Sequence, residues 1–453
     1  MNYREALAWL YSLQRFGIKL GLENSRRLFQ ALGCSGVCVK RRAPGTSAPT
    51  PRIVHVAGTN GKGSVCAMID AILRAQGIRS GLFTSPHLVT FRERIQINGE
   101  LISEEAVTNG LTLIRDLIAE WEPHPTFFEV TTGLALKHFS ENNIDIAVLE
   151  TGLGGRLDAT NALVSDVAVI TSIALDHQKW LGENLTEIAA EKAGIIKGNT
   201  PVVSAAQAAE AEKVIRARAA QCGASLQFIL EPYEESPIAL RGSYQQQNAA
   251  LAIAALRAVR STIRTESSRG EIDPPLLHCS ATGLSVPAIA RGLAAVKWPA
   301  RFQAWDERTI IDGAHNPAAA HVLAQTWRET LGPERATLIL AVLSDKDLPG
   351  VCQALAPISD FVLLPHIRSQ RAASPDELAK IFKSVASVGS AGASPAGNHS
   401  GCPTISITPS ISDALDSARA RPNRILLTGS LHFAGEALAF LQGKPAAFEE
   451  CPQ

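Results

Sequence analysis

The sequence predicts an α/β protein of two successive domains, and three observations carry that prediction. The chain has 453 residues, more than a single hydrophobic core ordinarily organises. From Ile53 onward, apolar runs of strand length alternate with helical patterns, as a largely parallel sheet requires. After a break in composition over residues 262–287, a second alternating series begins. The expected division is a first α/β domain over residues 1–297 and a second over residues 298–453, the latter of ordinary domain size.

Composition narrows the class. Hydrophobic residues make up 46%, and 43 basic side chains balance 43 acidic ones, so no electrostatic footprint for nucleic acid or an anionic membrane is present. Arg4, Glu5 and Arg15 interrupt the apolar residues of the N-terminus, and no uncharged apolar run approaches the roughly 18 residues of a membrane span. The eight cysteines lack zinc-ligand spacing and are expected to be free thiols. A cytoplasmic globular protein, without nucleic-acid or membrane partners, is the resulting expectation.

Tyr3 to Leu32 is helical in pattern and is expected to cover an edge of the first domain, and residues 40–51 (KRRAPGTSAPTP) read as a solvated insertion. Residues 53–77 then give a buried strand, a glycine-rich loop and a helix. Val65, Met68, Ile69, Ile72 and Leu73 form one apolar stripe, with Cys66 packed beside it and Gly77 as the stop signal. Gly58, Thr59, Asn60, Gly61, Lys62, Gly63 and Ser64 lie between strand and helix, where unpaired amides and the helix dipole favour an anion. Lys62 adds a cation and Ser64 a hydroxyl suited to Mg²⁺. The spacing departs from GxxxxGK[ST], because Gly63 separates the lysine from Ser64.

Residues 144–150 and 167–173 are almost continuously apolar, as strands covered on both faces should be. The first ends at Glu150, a carboxylate placed to meet a nucleotide-bound metal, and the second leads to Asp176 and His177. Parallel sheets bind ligands at the carboxyl ends of their strands, so these side chains should converge near the phosphate loop. His177 is either a ligand or a structural histidine. GLGGR at 152–156 is not a dinucleotide fingerprint, because Leu157 stands where its last glycine belongs.

Asn184 caps a helix whose stripe is Leu185, Ile188, Ile195 and Ile196, and Lys192 falls on that stripe. Burial depresses a lysine pKa, and a neutral amine can add CO₂ to become a carbamate, an anionic ligand. The alternatives are a lysine that snorkels to the surface or pairs with a carboxylate. A helix follows from Asn248 to Val259. In the second domain, strands are expected at 309–312, 337–343, 361–364, 405–408 and 425–428, with residues 386–403 as a disordered loop. Asp312 and His315 leave the first of these strands, Asn316 and Pro317 open the next helix, and Arg301 stands in WPARF beside the interdomain linker. The loops 344–347 and 428–436 follow strand ends on the same edge.

The ordered motifs VAGTNGKGS, TSPHL, TFFE, LETGLGGRLDATN, TSIALDH, EKAGI, PARF, DGAHNP, DKD and TGSL resemble the Mur ligase superfamily, most closely the folylpolyglutamate synthase family with its dihydrofolate synthases. The resemblance implies an N-terminal P-loop ATPase domain with a mostly parallel sheet, and a C-terminal Rossmann-like glutamate ligase domain. It implies ATP and two Mg²⁺ ions as cofactors, folate or dihydropteroate and L-glutamate as substrates, and a monomer. Lys62 and the loop amides would hold phosphates. Ser64, Ser85 and Glu150 would serve one Mg²⁺, and Glu150, His177 and a carbamoylated Lys192 a second. Asn248, Arg301, Asp312 and His315 would contact the nucleotide or the transferred phosphoryl group, and Thr126, Phe127, Phe128 and Glu129 the pterin substrate. The resulting reaction is carboxylate activation as an acyl phosphate followed by amide formation. A cell-wall peptide ligase and an ATP-hydrolysing switch are the alternatives.

Overall fold

The computed structural model describes residues 1–17, 21–34, 51–268, 283–390 and 403–450. The insertion at 40–50 and the centre of the expected loop at 386–403 lie outside these residues. The first sheet is built from β1 (Arg52–Ala57), β2 (Ser80–Phe83), β3 (Ile95–Ile97), β4 (Glu100–Leu101), β5 (Ile146–Glu150), β6 (Val167–Ile170), β7 (Val202–Ala205) and β8 (Leu226–Ile229). Its eight strands run in the order β4-β3-β2-β5-β1-β6-β7-β8. Pairing is parallel except at β2–β3 and β3–β4. β1 is therefore flanked by β5 and β6, the two other strands that sequence marked as fully covered, and all of β5 and β6 is buried. Register places Val56 opposite Glu150 and Ala57 opposite Ile170, so three loops leave one level of the sheet.

The second sheet contains β9 (Gln303–Ala304), β10 (Thr309–Ile311), β11 (Ala336–Leu340), β12 (Ser359–Pro365), β13 (Thr404–Thr408) and β14 (Ile425–Thr428). Its six strands run β13-β12-β11-β14-β10-β9, with only the short β9 antiparallel. Each expected strand is present within a few residues of its predicted bounds. Both domains are thus α/β units whose strand ends carry the loops singled out from sequence.

Helix Lys62–Ala75 is buried from Gly63 to Leu73 on every side, rather than along one stripe. Helices Ser243–Ser268 and Val286–Ala295 cover its second face. Gly292 makes the closer of these contacts: a Cβ there would stand 2.6 Å from the Ile72 Cα. The first of the two covering helices runs through Ser268, so part of the stretch read as a break in composition is regular helix.

The N-terminal pattern resolves into helix Tyr3–Ser12, a 3₁₀ turn Leu13–Phe16 and helix Glu23–Ala31. These pack on helices Glu104–Leu117 and Phe127–Glu141 of the first domain and bury Leu7, Leu10, Leu28 and Phe29. Burying side chains of this size contributes roughly 1.5–3 kcal/mol each. No helix among the described residues is long and apolar enough to cross a membrane.

Candidate active site

The loop after β1 is shaped by two glycines. Gly58 (φ 148°) and Gly61 (φ 90°) adopt backbone angles that L side chains rarely take, and neighbours crowd both. A Cβ on Gly58 would lie 1.9 Å from Thr171 Oγ1, and one on Gly61 2.7 Å from Asn248 Oδ1. Thr59 and Asn60 donate their backbone N–H groups to Ser172 O at 2.8 and 3.1 Å, strapping the loop to the segment after β6. Gly63 has a different reason from the one its position suggested. It lies inside the helix that begins at Lys62, and it is small because Trp298 Nε1 would meet its Cβ at 2.7 Å. The helix opening leaves the amides of its first turn without helical partners, in an orientation suited to phosphate oxygens.

Side chains complete this end. Lys62 Nζ donates to Thr59 O at 3.2 Å and stands 4.0 Å from Glu150 Oε1. Glu150 Oε2 accepts from the Ser85 amide at 3.2 Å. Burial raises the Glu150 carboxyl, and Lys62, the Ser85 amide and Arg301 oppose that rise. Ser64 Oγ accepts from Gln245 Nε2 at 3.4 Å, and Gln245 is held in turn by Asn248 Nδ2 at 2.9 Å. Asn248 therefore supports the loop from behind as well as lining the cavity.

Lys192 is 4% exposed. It neither snorkels nor pairs with a carboxylate among the described residues; its Nζ donates to Gly58 O at 2.9 Å. Burial, then the neighbouring Lys62, brings its pKa down to about 7. Asn184 caps the helix as expected, accepting from Glu187 N at 3.0 Å.

Asp176 and His177 line the same cavity as Glu150, yet their side chains engage the opposite domain. Asp176 accepts from Lys346 Nζ at 2.7 Å and Asn316 Nδ2 at 3.1 Å, with His315 Nε2 at 3.5 Å. Burial alone would raise this carboxyl, but His315, His177 and Lys346 outweigh it and hold it below the usual carboxylate range. His177, in the left-handed region at φ 50°, sets Nε2 3.3 Å from Lys346 Nζ. Burial lowers its pKa to about 4. Asn60 and Asn316 exchange side-chain hydrogen bonds at 3.1 and 3.3 Å across the same seam. Among the described residues, no three His, Cys, Asp or Glu side chains gather closely enough to hold a metal ion alone.

Arg301 is presented by a strained loop. Ala300 (φ 54°) and Phe302 (φ 43°) on either side of it are left-handed without being glycine. Asp312 enforces this shape: Oδ2 accepts from Phe302 N at 2.7 Å and Oδ1 from Ala314 N at 2.8 Å. Asp312 thus holds the backbone on either side of its own strand end, shapes the loop that presents Arg301, and still lines the cavity. Thr126 and Glu129 likewise form a capping box, with Ser25 Oγ donating to Glu129 Oε1 at 3.0 Å. Phe127 is buried, while Phe128 keeps part of its ring on the cavity. The cavity itself, about 1150 Å³, runs between the domains from Thr126 and Phe128 past Lys62, Glu150 and Lys192 to Arg301, His315 and Lys346.

Sequence reading gave no role to Lys346, Gln245, Trp298 or His55. The signal for His55 was present, a histidine in the middle of an apolar strand. Its Nε2 lies 2.8 Å from Thr160 Oγ1, and Thr160 Oγ1 also bonds to Asp158 Oδ1. Asp158 Oδ2 accepts the amides of Gly152 and Leu153 at 2.8 and 3.0 Å, fixing one wall of the cavity.

Two regions of the chain match known families. Residues 56–222 match the Mur ligase middle domain, and residues 300–431 the Mur ligase glutamate ligase domain. The chain thus carries two Mur ligase domains in succession. The dihydrofolate synthase/folylpolyglutamate synthase of Bacillus subtilis is 32% identical over 397 residues, covering 80% of this chain and 84% of the relative. A Halobacterium salinarum protein named "Probable bifunctional folylpolyglutamate synthase/dihydropteroate synthase" is 31% identical over 96% of this chain, which spans about half (51%) of that relative's length. The crystal structure of bifunctional folylpolyglutamate synthase/dihydrofolate synthase from Yersinia pestis, complexed with AMPPNP and Mn ion, covers 98% of both chains at 30% identity with a TM-score of 0.77. The chain belongs to the folylpolyglutamate synthase/dihydrofolate synthase family.

The His55 relay gives the fold an acid weakness. Burial lowers its pKa to about 3, below the ordinary 6.5, so the unfolded chain binds a proton that the folded one refuses. Its contribution is complete above pH 6.5 and is lost as pH falls toward 3. Between pH 6.5 and 5, urea unfolding should register a loss of up to about 2 kcal/mol from this residue. His55→Asn should flatten that slope; an unchanged slope would contradict the buried neutral imidazole.

Proposed function

We propose that the chain joins L-glutamate to folates in an ATP-dependent amide ligation, and that it also accepts dihydropteroate. The observation that carries this reading is a cavity lined from both domains, with a glycine-shaped helix opening and Lys62 on one side and Arg301 on the other. Residues 1–297 would supply the nucleotide and residues 298–453 the glutamate end. Family membership favours this over a cell-wall peptide ligase or an ATP-hydrolysing switch.

The chemistry follows from charge. A substrate carboxylate must approach the γ-phosphate of ATP, and both are anionic. Lys62 and the first-turn amides would hold the phosphates, and Arg301 would neutralise charge on the transferred group. His315 lies within reach of the same space. The acyl phosphate is then opened by the glutamate amine, releasing phosphate. Phe128, with the capped start of its helix, would form the apolar wall for the pterin end.

Ser64, Ser85 and Glu150 suit a Mg²⁺ ion, which takes one or two carboxylates together with substrate phosphates. The fit rests on Glu150 Oε1, whose nearest cation is Lys62 at 4.0 Å. Bound there, the ion would neutralise phosphate charge. Lys192 fits carbamoylation, since burial lowers its pKa to about 7, so that a large share of its amine is unprotonated near neutral pH, and it borders the cavity. As a carbamate it would join Glu150 and His177 at a second ion, with His177 leaving Lys346. A monomer in the cytoplasm is the matching context, the compartment being supported by the free thiols of Cys66, Cys222 and Cys352.

Purified protein given ATP, Mg²⁺, glutamate and either tetrahydrofolate or dihydropteroate should yield products heavier by one glutamyl residue, read by mass spectrometry. No mass gain on any folate would overturn the assignment. Lys192→Ala should lower the ligation rate at least about 100-fold, as loss of an active-site charge stabiliser does, with partial recovery in formate or acetate. Absence of a carbamate signal in the ¹³C NMR spectrum of active enzyme equilibrated with ¹³C-bicarbonate would contradict the carbamate.

A further inference from the structure

Ser85 belongs to a segment that faces both domains. It follows β2, offers its amide to Glu150 at 3.2 Å, and continues through His87, Leu88 and Val89 into a 3₁₀ turn. Within its own domain the segment is organised by Glu93, whose carboxylate accepts the amides of Leu88, Val89 and Thr90 at 2.8, 2.9 and 3.0 Å. From the other domain two elements press on it.

The first is helix Leu431–Leu441. A Cβ on Gly435 would fall 1.9 Å from Leu88 O and 2.6 Å from Leu88 C, so backbone of one domain lies against backbone of the other. No side-chain adjustment can relieve that approach. Leu88 and Val89 also pack against the apolar cluster of Phe433, Ala434 and Ala437.

The second is the chain after that helix, which returns across the seam. Glu449 Oε2 accepts from Phe91 N at 2.6 Å, Thr90 Oγ1 at 3.1 Å and Tyr3 OH at 3.3 Å. Its backbone N–H donates to Val89 O at 2.8 Å, and its carbonyl lies 2.9 Å from His87 Nε2. Arg94 Nε donates to His87 Nδ1 at 2.9 Å, which leaves the imidazole's hydrogen on Nε2, directed at Glu449 O. Burial, then Arg94, lowers the His87 pKa to about 3, consistent with this neutral tautomer. Phe448 packs edge-on against His432 at 5.1 Å, tying the same strap to its own domain.

We propose that Glu449 and Gly435 form a clasp through which the C-terminal domain sets the position of the Ser85 loop, making Glu449 a positioning residue for the nucleotide site. The inference rests on the reading that Ser85 and Glu150 serve bound nucleotide. Glu449 itself touches no reacting group; it acts through the backbone of residues 87–91.

The full-length chain tests this with Glu449→Ala, Glu449→Gln and Gly435→Ala. ATP affinity is measured by direct titration with Mg-ATP, together with kcat and KM for ATP, Tm, and hydrogen exchange at amides 88–91. Glu449→Ala should weaken ATP binding and kcat/KM for ATP about tenfold, as loss of charge-assisted hydrogen bonds does. Exchange at 88–91 should quicken while Tm and KM for glutamate stay near wild type. Glu449→Gln, whose amide oxygen still accepts, should recover part of the loss. Faster exchange with unchanged ATP affinity would overturn the proposal, as would equal loss in every parameter alongside a lowered Tm. A wild-type chain that binds ATP but ligates no folate would sink the functional reading alone, because titration and exchange still decide the clasp.

Discussion

The active cavity exists only while the two domains stay docked, and a buried ion pair sits at that seam. Asp176 and Lys346, with side chains each 6% exposed, meet at 2.7 Å across the boundary. Such a pair returns little net stability, because desolvation consumes much of its attraction, but an unpartnered member is costly by about 3–5 kcal/mol. It therefore specifies geometry more than it adds strength. Asn316 and His315 gather around the same carboxylate, so the turn after β10 is registered against the turn after β6.

From this constraint the rest of the site follows. The glycine-rich loop is strapped to Ser172, four residues before Asp176, and Arg301 is aimed by Asp312, three residues before His315. Each domain thus links its own charged groups to the seam through short stretches of backbone. Strain at Ala300, Phe302 and His177 is concentrated where these stretches meet the cavity.

Much of this was legible in the sequence. Continuous apolar runs identified β5 and β6 because a strand covered on both faces leaves no polar alternation, and the capping residues Asn184 and Asn316 fixed two helix starts. Stripe position placed Lys192 on the buried face with snorkelling as an alternative, and the side chain is buried. What sequence could not reveal was who meets whom across long separations. Gly63 resembled a loop glycine, but Trp298, more than two hundred residues away, explains it. Asp176 was expected near Glu150 and the loop, and it lines the same cavity, but nothing in the sequence signalled that Lys346 of the other domain would hold its carboxylate. Thr126, Glu129 and Asp312 carried the right chemistry for ligands, yet much of their hydrogen-bonding capacity is used on local backbone, which motif spacing does not distinguish.

The central claim is that docking of the two domains through Asp176 and Lys346 assembles the nucleotide site. A double-mutant cycle of Asp176→Asn and Lys346→Met, read as kcat/KM for ATP, tests it most directly. The account predicts a coupling of roughly 1–3 kcal/mol, the double variant losing far less than the two single losses combined. Losses that add to within about 0.5 kcal/mol would contradict it, because the two residues would then act independently.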